Sequence, residues 1–102
     1  MNLQNGKPTV SEEEIMVIAC EECAEVIQCI SKILRFGFDS CNPSNLGYTN
    51  RQHLTNEVGD LIAMMTLMVE NNIVNPKEVL DAASRKLDKL KMFSNINVDK
   101  MN

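Results

Sequence analysis

Residues 21 to 25, Glu21-Glu22-Cys23-Ala24-Glu25, lie within a segment that favours helix from about residue 11 to about Arg35. Its apolar residues recur at helical spacing and cover more than one narrow stripe of the helix. They are Ile15, Ile18, Ala19, Val26, Ile27, Ile30, Ile33 and Leu34. Ser11-Glu12-Glu13-Glu14 matches a capping box, with the serine covering backbone N–H groups and Glu14 reaching back to it. We therefore predict a long first helix with more than one packing neighbour.

Two more helices follow from the remaining sequence. The second should begin near Thr49 to Arg51 and run to about Asn72. Its segment 61–69 is apolar almost all the way round, which a small free-standing bundle cannot hide from water. The third should begin at Asn75 and Pro76, where asparagine can cap the helix and proline suits the first helical position, and should end near residue 92.

Residues 36–50 predict a loop, because they contain glycine, proline and several asparagines. No strand pattern is present, so the fold class should be all-α. We expect a helical bundle in which two antiparallel helices carry carboxylates and oligomerisation completes the core. The contact between subunits should involve the methionine-rich second helix, including Met64, and should form a homodimer or homotetramer.

The composition limits the classes of function. A chain of 102 residues with a net charge of −4 should be one domain over residues 1–102, with a loose arm at 1–10 and a frayed tail at 94–102. An acidic chain lacks the clustered basic residues that non-specific nucleic-acid binding requires. No signal peptide or membrane-spanning stretch is apparent, so a cytoplasmic protein with four reduced cysteines is expected.

Two pairs of acidic residues indicate a metal site. Glu22 and Glu25 are three residues apart, as are Glu57 and Asp60, so each pair projects from one side of its helix. Four carboxylates from two packed helices would form the hard-oxygen site that Mg²⁺ or Mn²⁺ prefers. His53 lies one turn before Glu57, and we interpret it as a surface histidine rather than a ligand.

The order E-E-x-x-E on one helix and E-x-x-D on the next resembles the MazG-like all-α nucleoside triphosphate pyrophosphohydrolases. The stretches Glu22-Cys23-Ala24-Glu25-Val26-Ile27-Gln28 and Ser31-Lys32-Ile33-Leu34-Arg35-Phe36-Gly37 look most like short, stand-alone members of the kind that phages carry. The resemblance covers roughly residues 12 to 93. The spacer between Glu25 and Glu57 is long for this pattern, which affects the expected loop and substrate choice more than the metal site.

The resemblance implies Mg²⁺-dependent hydrolysis of a nucleoside triphosphate to the monophosphate and pyrophosphate, with a deoxynucleotide such as dGTP as substrate. If the chain is encoded by a phage, it would act in the host cytoplasm. The implied site residues are the metal ligands Glu22, Glu25, Glu57 and Asp60, the catalytic residue Glu21, and the substrate-binding residues Lys32, Asn71, Lys86 and Lys89. Each also has an ordinary structural interpretation, such as a solvated helix face or, for Asn71, the end of a helix.

Two alternative functions fit the same residues. One is phosphoribosyl-ATP pyrophosphohydrolase, which shares the acidic pattern. The other is a non-catalytic acidic helical adaptor whose carboxylates contact a basic partner. Saturable metal binding separates either enzyme from the adaptor.

Overall fold

The computed structural model describes residues 6–101, the last two by their backbone alone. It contains three α-helices, α1 (Val10–Phe36), α2 (Asn50–Glu70) and α3 (Pro76–Phe93), and a short 3₁₀ turn at Val98–Met101. The all-α class is confirmed for this part of the chain. Most of the predicted arm, residues 1–5, and the last residue of the predicted tail lie outside the described residues.

The first helix begins earlier than its capping signal predicted. Thr9, not Ser11, is the N-cap, and its hydroxyl accepts a hydrogen bond from the backbone N–H of Glu12 at 3.1 Å. The Glu12 carboxylate in turn accepts from the Thr9 backbone N–H at 2.8 Å. The assignment to Ser11 and Glu14 was therefore wrong by two residues, because overlapping S/T-x-x-E patterns fit both starts and Thr9 adopts the extended backbone that a cap requires.

The other two helices begin at the predicted positions. The Thr49 side chain accepts from the Gln52 backbone N–H at 3.0 Å, which places α2 within the predicted bounds. The Asn75 side chain caps α3 in the same way, accepting from Glu78 at 3.0 Å, with proline in the first turn. These ends depend on contacts within four residues, so the sequence specifies them directly.

Helices α1 and α2 pack against each other in antiparallel orientation and bury a small apolar core. Its buried members on these two helices are Ala19, Cys29, Ile33 and Met64. The prediction that Met64 lies at a contact between subunits is corrected here, because this side chain is only 9% exposed within one subunit. Met64 lies two turns after Glu57, and so shares the face of α2 that meets α1.

Helix α3 extends away from this pair and packs mainly against the 3₁₀ turn. Val98 is buried there, and the Ser94 hydroxyl donates to the Leu90 carbonyl at 2.7 Å. The segment after α3 is therefore more regular than the frayed tail we expected. The chain measures 57 × 39 × 20 Å, and its radius of gyration of 17.5 Å exceeds the value of about 13 Å that is typical of a compact chain of this length.

No helix in the described part of the chain combines the length and the hydropathy needed to cross a membrane.

The observed cap predicts which substitution destabilises α1. Thr9→Ala should lower the free energy of unfolding by about 1 kcal/mol, because it removes the side-chain acceptor for an otherwise unpaired N–H. Ser11→Ala, two residues later and inside the helix, is the matched control and should change the free energy by less than about 0.5 kcal/mol. Urea unfolding followed by circular dichroism measures both; the opposite ranking would restore Ser11 as the cap.

Candidate metal centre

Three carboxylates meet at the interface between α1 and α2. They belong to Glu22 on α1 and to Glu57 and Asp60 on α2, and one oxygen of each lies within 4.8 Å of the others. Glu22 and Glu57 are half-buried, whereas Asp60 is exposed. The three-residue spacing places Glu57 and Asp60 on one side of α2, and antiparallel packing brings Glu22 opposite them.

A second group of potential ligands adjoins the first. It contains Glu25, His53 and again Glu57, with ligand atoms within 4.8 Å of one another. The His53 Nε2 atom lies 3.5 Å from a Glu57 oxygen. Glu22 faces Glu57 and Asp60, whereas Glu25, further along α1, faces His53 and Glu57, which come earlier in α2. This reversed order is what antiparallel helices require.

The two groups together contain all four carboxylates that the sequence singled out. They also contain His53, which we had interpreted as a surface residue. Its position one turn before Glu57 was the available signal, since residues four apart lie on one helix face. A single histidine at that spacing could not be distinguished from a solvated one until α1 was placed beside it.

The electrostatics of Glu22 favour a bound cation. One of its carboxylate oxygens, Oε2, is buried and has no hydrogen-bond partner. Desolvation raises the pKa of Glu22 above its ordinary value, and the neighbouring carboxylates of Glu57, Asp60 and Glu25 raise it further. An unpartnered carboxylate oxygen beside other acids is costly, and a divalent cation would supply the missing partner.

Cys29 belongs to the apolar core that contains Ala19, Ile33 and Met64. It is only 1% exposed, and burial raises the pKa of its thiol, with the charge of Glu57 acting in the same direction. The thiol therefore stays protonated and behaves as a small apolar side chain. No cysteine belongs to either group of ligand atoms among the described residues, and Cys20 and Cys23 are exposed.

A polar groove lies beside the acids, under the loop between α1 and α2. Both Lys32 and His53 line it, together with Asn42, Asn45 and Tyr48, and its volume is about 260 Å³. Ser44, Thr49 and Asn50 complete the lining. The groove thus connects the predicted phosphate ligand Lys32 with the histidine of the metal centre.

Hydrogen bonds and a ring contact with the start of α2 hold this loop in place. The Asn50 side chain donates to the Gly37 carbonyl at 3.1 Å, and its backbone N–H donates to Ser40 at 2.9 Å. Tyr48 accepts a hydrogen bond from Asn56 at 3.0 Å, and its ring lies 5.6 Å from that of His53. The predicted loop is therefore attached to the first two turns of α2.

The remaining predicted site residues lie outside both ligand groups. Glu21 is exposed on α1. Asn71 ends α2, and its side-chain amide donates to the Leu67 carbonyl at 2.8 Å. Lys86 and Lys89 are exposed on α3, which does not pack along the two acidic helices. Within one subunit the structure therefore brings the four carboxylates together, but not these four residues.

Residues 10–91 match the family model of the MazG nucleotide pyrophosphohydrolase domain. Because this match covers most of the 102 residues, the chain belongs to that family. Members of the family generally use divalent metal ions. The chain has no significant match to a curated protein or to a solved structure.

The raised pKa of Glu22 predicts how pH affects the metal-free protein. Folded Glu22 holds its proton more tightly than unfolded Glu22, so stability should fall as pH rises from its ordinary value of 4.5 through the folded value. Glu22→Gln removes this loss. In EDTA its melting temperature should exceed that of the wild type near pH 7.5, and the difference should shrink toward about pH 4.5.

Two further measurements test the cause of that difference. Glu13→Gln, an exposed glutamate in the first turn of α1, should give no comparable gain. Millimolar Mg²⁺ should raise the melting temperature of the wild type more than that of Glu22→Gln, since binding stabilises the folded state. Equal Mg²⁺ responses in the two proteins would contradict the assignment of Glu22 as a ligand.

Proposed function

We propose that this chain hydrolyses a nucleoside triphosphate to the nucleoside monophosphate and pyrophosphate. Membership of the MazG family supports the reaction class. The observation that carries the proposal for this particular chain is the cluster of Glu22, Glu57 and Asp60, with a buried, unpartnered oxygen on Glu22. A purely structural helix pair gains nothing from desolvating like charges together.

The carboxylates Glu22, Glu25, Glu57 and Asp60 would hold Mg²⁺ or Mn²⁺. Such an ion, when bound, neutralises phosphate oxygens and lowers the pKa of coordinated water. The protein fixes the positions of its acids on two rigid helices, which keeps the reacting groups oriented. His53, 3.5 Å from Glu57, would orient that carboxylate through its ring nitrogen.

The groove beside the acids would take the rest of the nucleotide. Lys32 lies two turns beyond Glu25 on α1, so its ammonium could meet phosphate charge that the acids and metal leave uncompensated. Asparagine side chains and Tyr48 in the groove offer hydrogen bonds and a ring for stacking on a base. A deoxynucleotide such as dGTP is the first substrate to test, a choice that comes from the phage-type resemblance.

Four other residues are proposed to act on the water or the substrate. Glu21 would orient or deprotonate the attacking water, although its side chain lies outside the two ligand groups. Asn71 would contact the nucleotide from the end of α2. Lys86 and Lys89 would bind pyrophosphate, and because α3 extends away from the acids, another subunit would have to supply them.

The activity can be tested by a substrate screen. All natural NTPs and dNTPs, together with phosphoribosyl-ATP, are incubated with the protein and Mg²⁺ or Mn²⁺, and the products are identified by mass. Release of pyrophosphate and a nucleoside monophosphate supports the proposal, and turnover of phosphoribosyl-ATP alone supports its metabolic alternative. No turnover of any substrate, together with no saturable Mg²⁺ binding, would indicate an adaptor instead.

Removing one ligand charge should stop the reaction without unfolding the protein. Glu22→Gln and Asp60→Asn should each lower kcat by about a hundredfold or more, since each weakens binding of the metal that stabilises the transition state. Circular dichroism should show intact helices in both variants. Glu13→Gln, outside the cluster, is the matched control and should retain wild-type kcat; retained activity in Asp60→Asn would remove that residue from the mechanism.

Lys32 should affect substrate binding more than chemistry. Lys32→Gln should raise KM about tenfold, because it removes one charge-assisted hydrogen bond to phosphate. Lys77→Gln, an exposed lysine in the first turn of α3, is the control and should leave KM unchanged. An unchanged KM in Lys32→Gln would exclude this residue from the phosphate site.

A further inference from the structure

His53 belongs to a group of ligand atoms that differs in chemistry from the rest of the metal centre. Its ring, a Glu25 oxygen and a Glu57 oxygen offer ligand atoms within 4.8 Å of one another. The neighbouring group, formed by Glu22, Glu57 and Asp60, offers oxygen atoms alone. The chain therefore presents two kinds of cation environment side by side, one of oxygen only and one that includes an imidazole nitrogen.

Two helices supply the members of the nitrogen-containing group. His53 and Glu57 are one turn apart on α2, so their side chains lie on the same face of that helix. Helix α1 packs against α2 and adds Glu25. Metal-binding helices use this spacing of four residues, because it directs two ligands toward one ion.

The separation of the two ligands on α2 suits a shared ion. The His53 Nε2 atom lies 3.5 Å from a Glu57 oxygen, whereas an ordinary N–H···O hydrogen bond spans about 2.7–3.2 Å. Two atoms that each lie about 2.1 Å from one tetrahedral ion are about 3.4 Å apart. The imidazole is also confined, because its side chain is only 29% exposed and the Tyr48 ring lies 5.6 Å from it. Both atoms are therefore positioned to bind one cation with little rearrangement.

We propose that Glu25, His53 and Glu57 form a mixed nitrogen–oxygen site that binds a first-row transition-metal ion of the class of Zn²⁺ or Co²⁺ in preference to Mg²⁺. Imidazole is a favourable ligand for such ions, whereas Mg²⁺ prefers oxygen and retains several of its waters. The two carboxylates balance the charge of one divalent ion. The nitrogen that would orient Glu57 beside Mg²⁺ would bind a transition-metal ion directly.

This mixed site rests on the proposed use of Glu25 and Glu57 as metal ligands, but it does not require hydrolysis of a nucleotide. An ion can reach it through the polar groove, which His53 lines. Cysteine is the other ligand type that Zn²⁺ favours. No cysteine belongs to either group of ligand atoms in the described part of the chain, so His53 is what distinguishes this site from an all-oxygen one.

Nuclear magnetic resonance can follow His53 directly, because it is the only histidine of the chain. In ¹⁵N-labelled wild-type protein without a histidine tag, Zn²⁺ added to saturation should move the Nε2 resonance to the range of metal-bound imidazole. Millimolar Mg²⁺ should not. An Nε2 resonance that does not respond to Zn²⁺, or that responds equally to Mg²⁺, would overturn the proposal. The result does not depend on whether any variant folds.

Two variants that remove the same charge test the second helix. Glu25→Gln should raise the Zn²⁺ concentration that gives half of the Nε2 shift by about tenfold, because it removes a ligand from α1. Glu13→Gln, at an exposed position in the first turn of α1, should leave that concentration unchanged. Equal responses in the two variants would contradict the assignment of Glu25 to this site.

A further control separates this site from zinc binding by the exposed cysteines of α1. Replacing Cys20 and Cys23 with serine should preserve the Nε2 shift, and its loss would count against the mixed site. The shift is also independent of turnover. An inactive protein whose Nε2 resonance responds only to Zn²⁺ would refute the proposed hydrolysis alone, whereas an active protein with an unresponsive resonance would refute the mixed site alone.

Discussion

The organisation of this protein depends on holding like charges together between two helices. Glu22 meets Glu57 and Asp60 where α1 packs on α2, and part of the Glu22 carboxylate is buried without a hydrogen-bond partner. This arrangement is unfavourable in the metal-free chain, because desolvation and mutual repulsion both raise the pKa of Glu22. The surrounding apolar contacts must therefore oppose the repulsion between the carboxylates. A divalent cation bound between them would offset it, because each carboxylate would be attracted to the ion.

The apolar core that opposes this repulsion within the chain is small. Ala19, Cys29, Ile33 and Met64 are buried between the first two helices, while comparable side chains remain open on the outer faces. A helix that is apolar over more than one stripe needs more than one neighbour.

The two sides of the helix pair thus have different chemistry. One side carries Glu25, Asp60 and His53 and continues into the polar groove at Lys32. The opposite side of the helix pair exposes apolar side chains, among them Ile27 and Ile62. This separation follows from two periodic patterns on the same helices, offset by about a third of a turn.

The sequence by itself determined the three helices, the start of α2 near Thr49, the cap of α3 at Asn75 and the pairing of the acids along each helix, because these depend on contacts within about one helical turn. The predicted cap of α1 at Ser11 was wrong by two residues, because the same S/T-x-x-E pattern begins at Thr9. Only the tertiary structure placed Met64 in the core, brought His53 to Glu57 and directed α3 away from the acids. Those outcomes depend on packing between residues distant in the chain, which periodicity on a single helix does not specify.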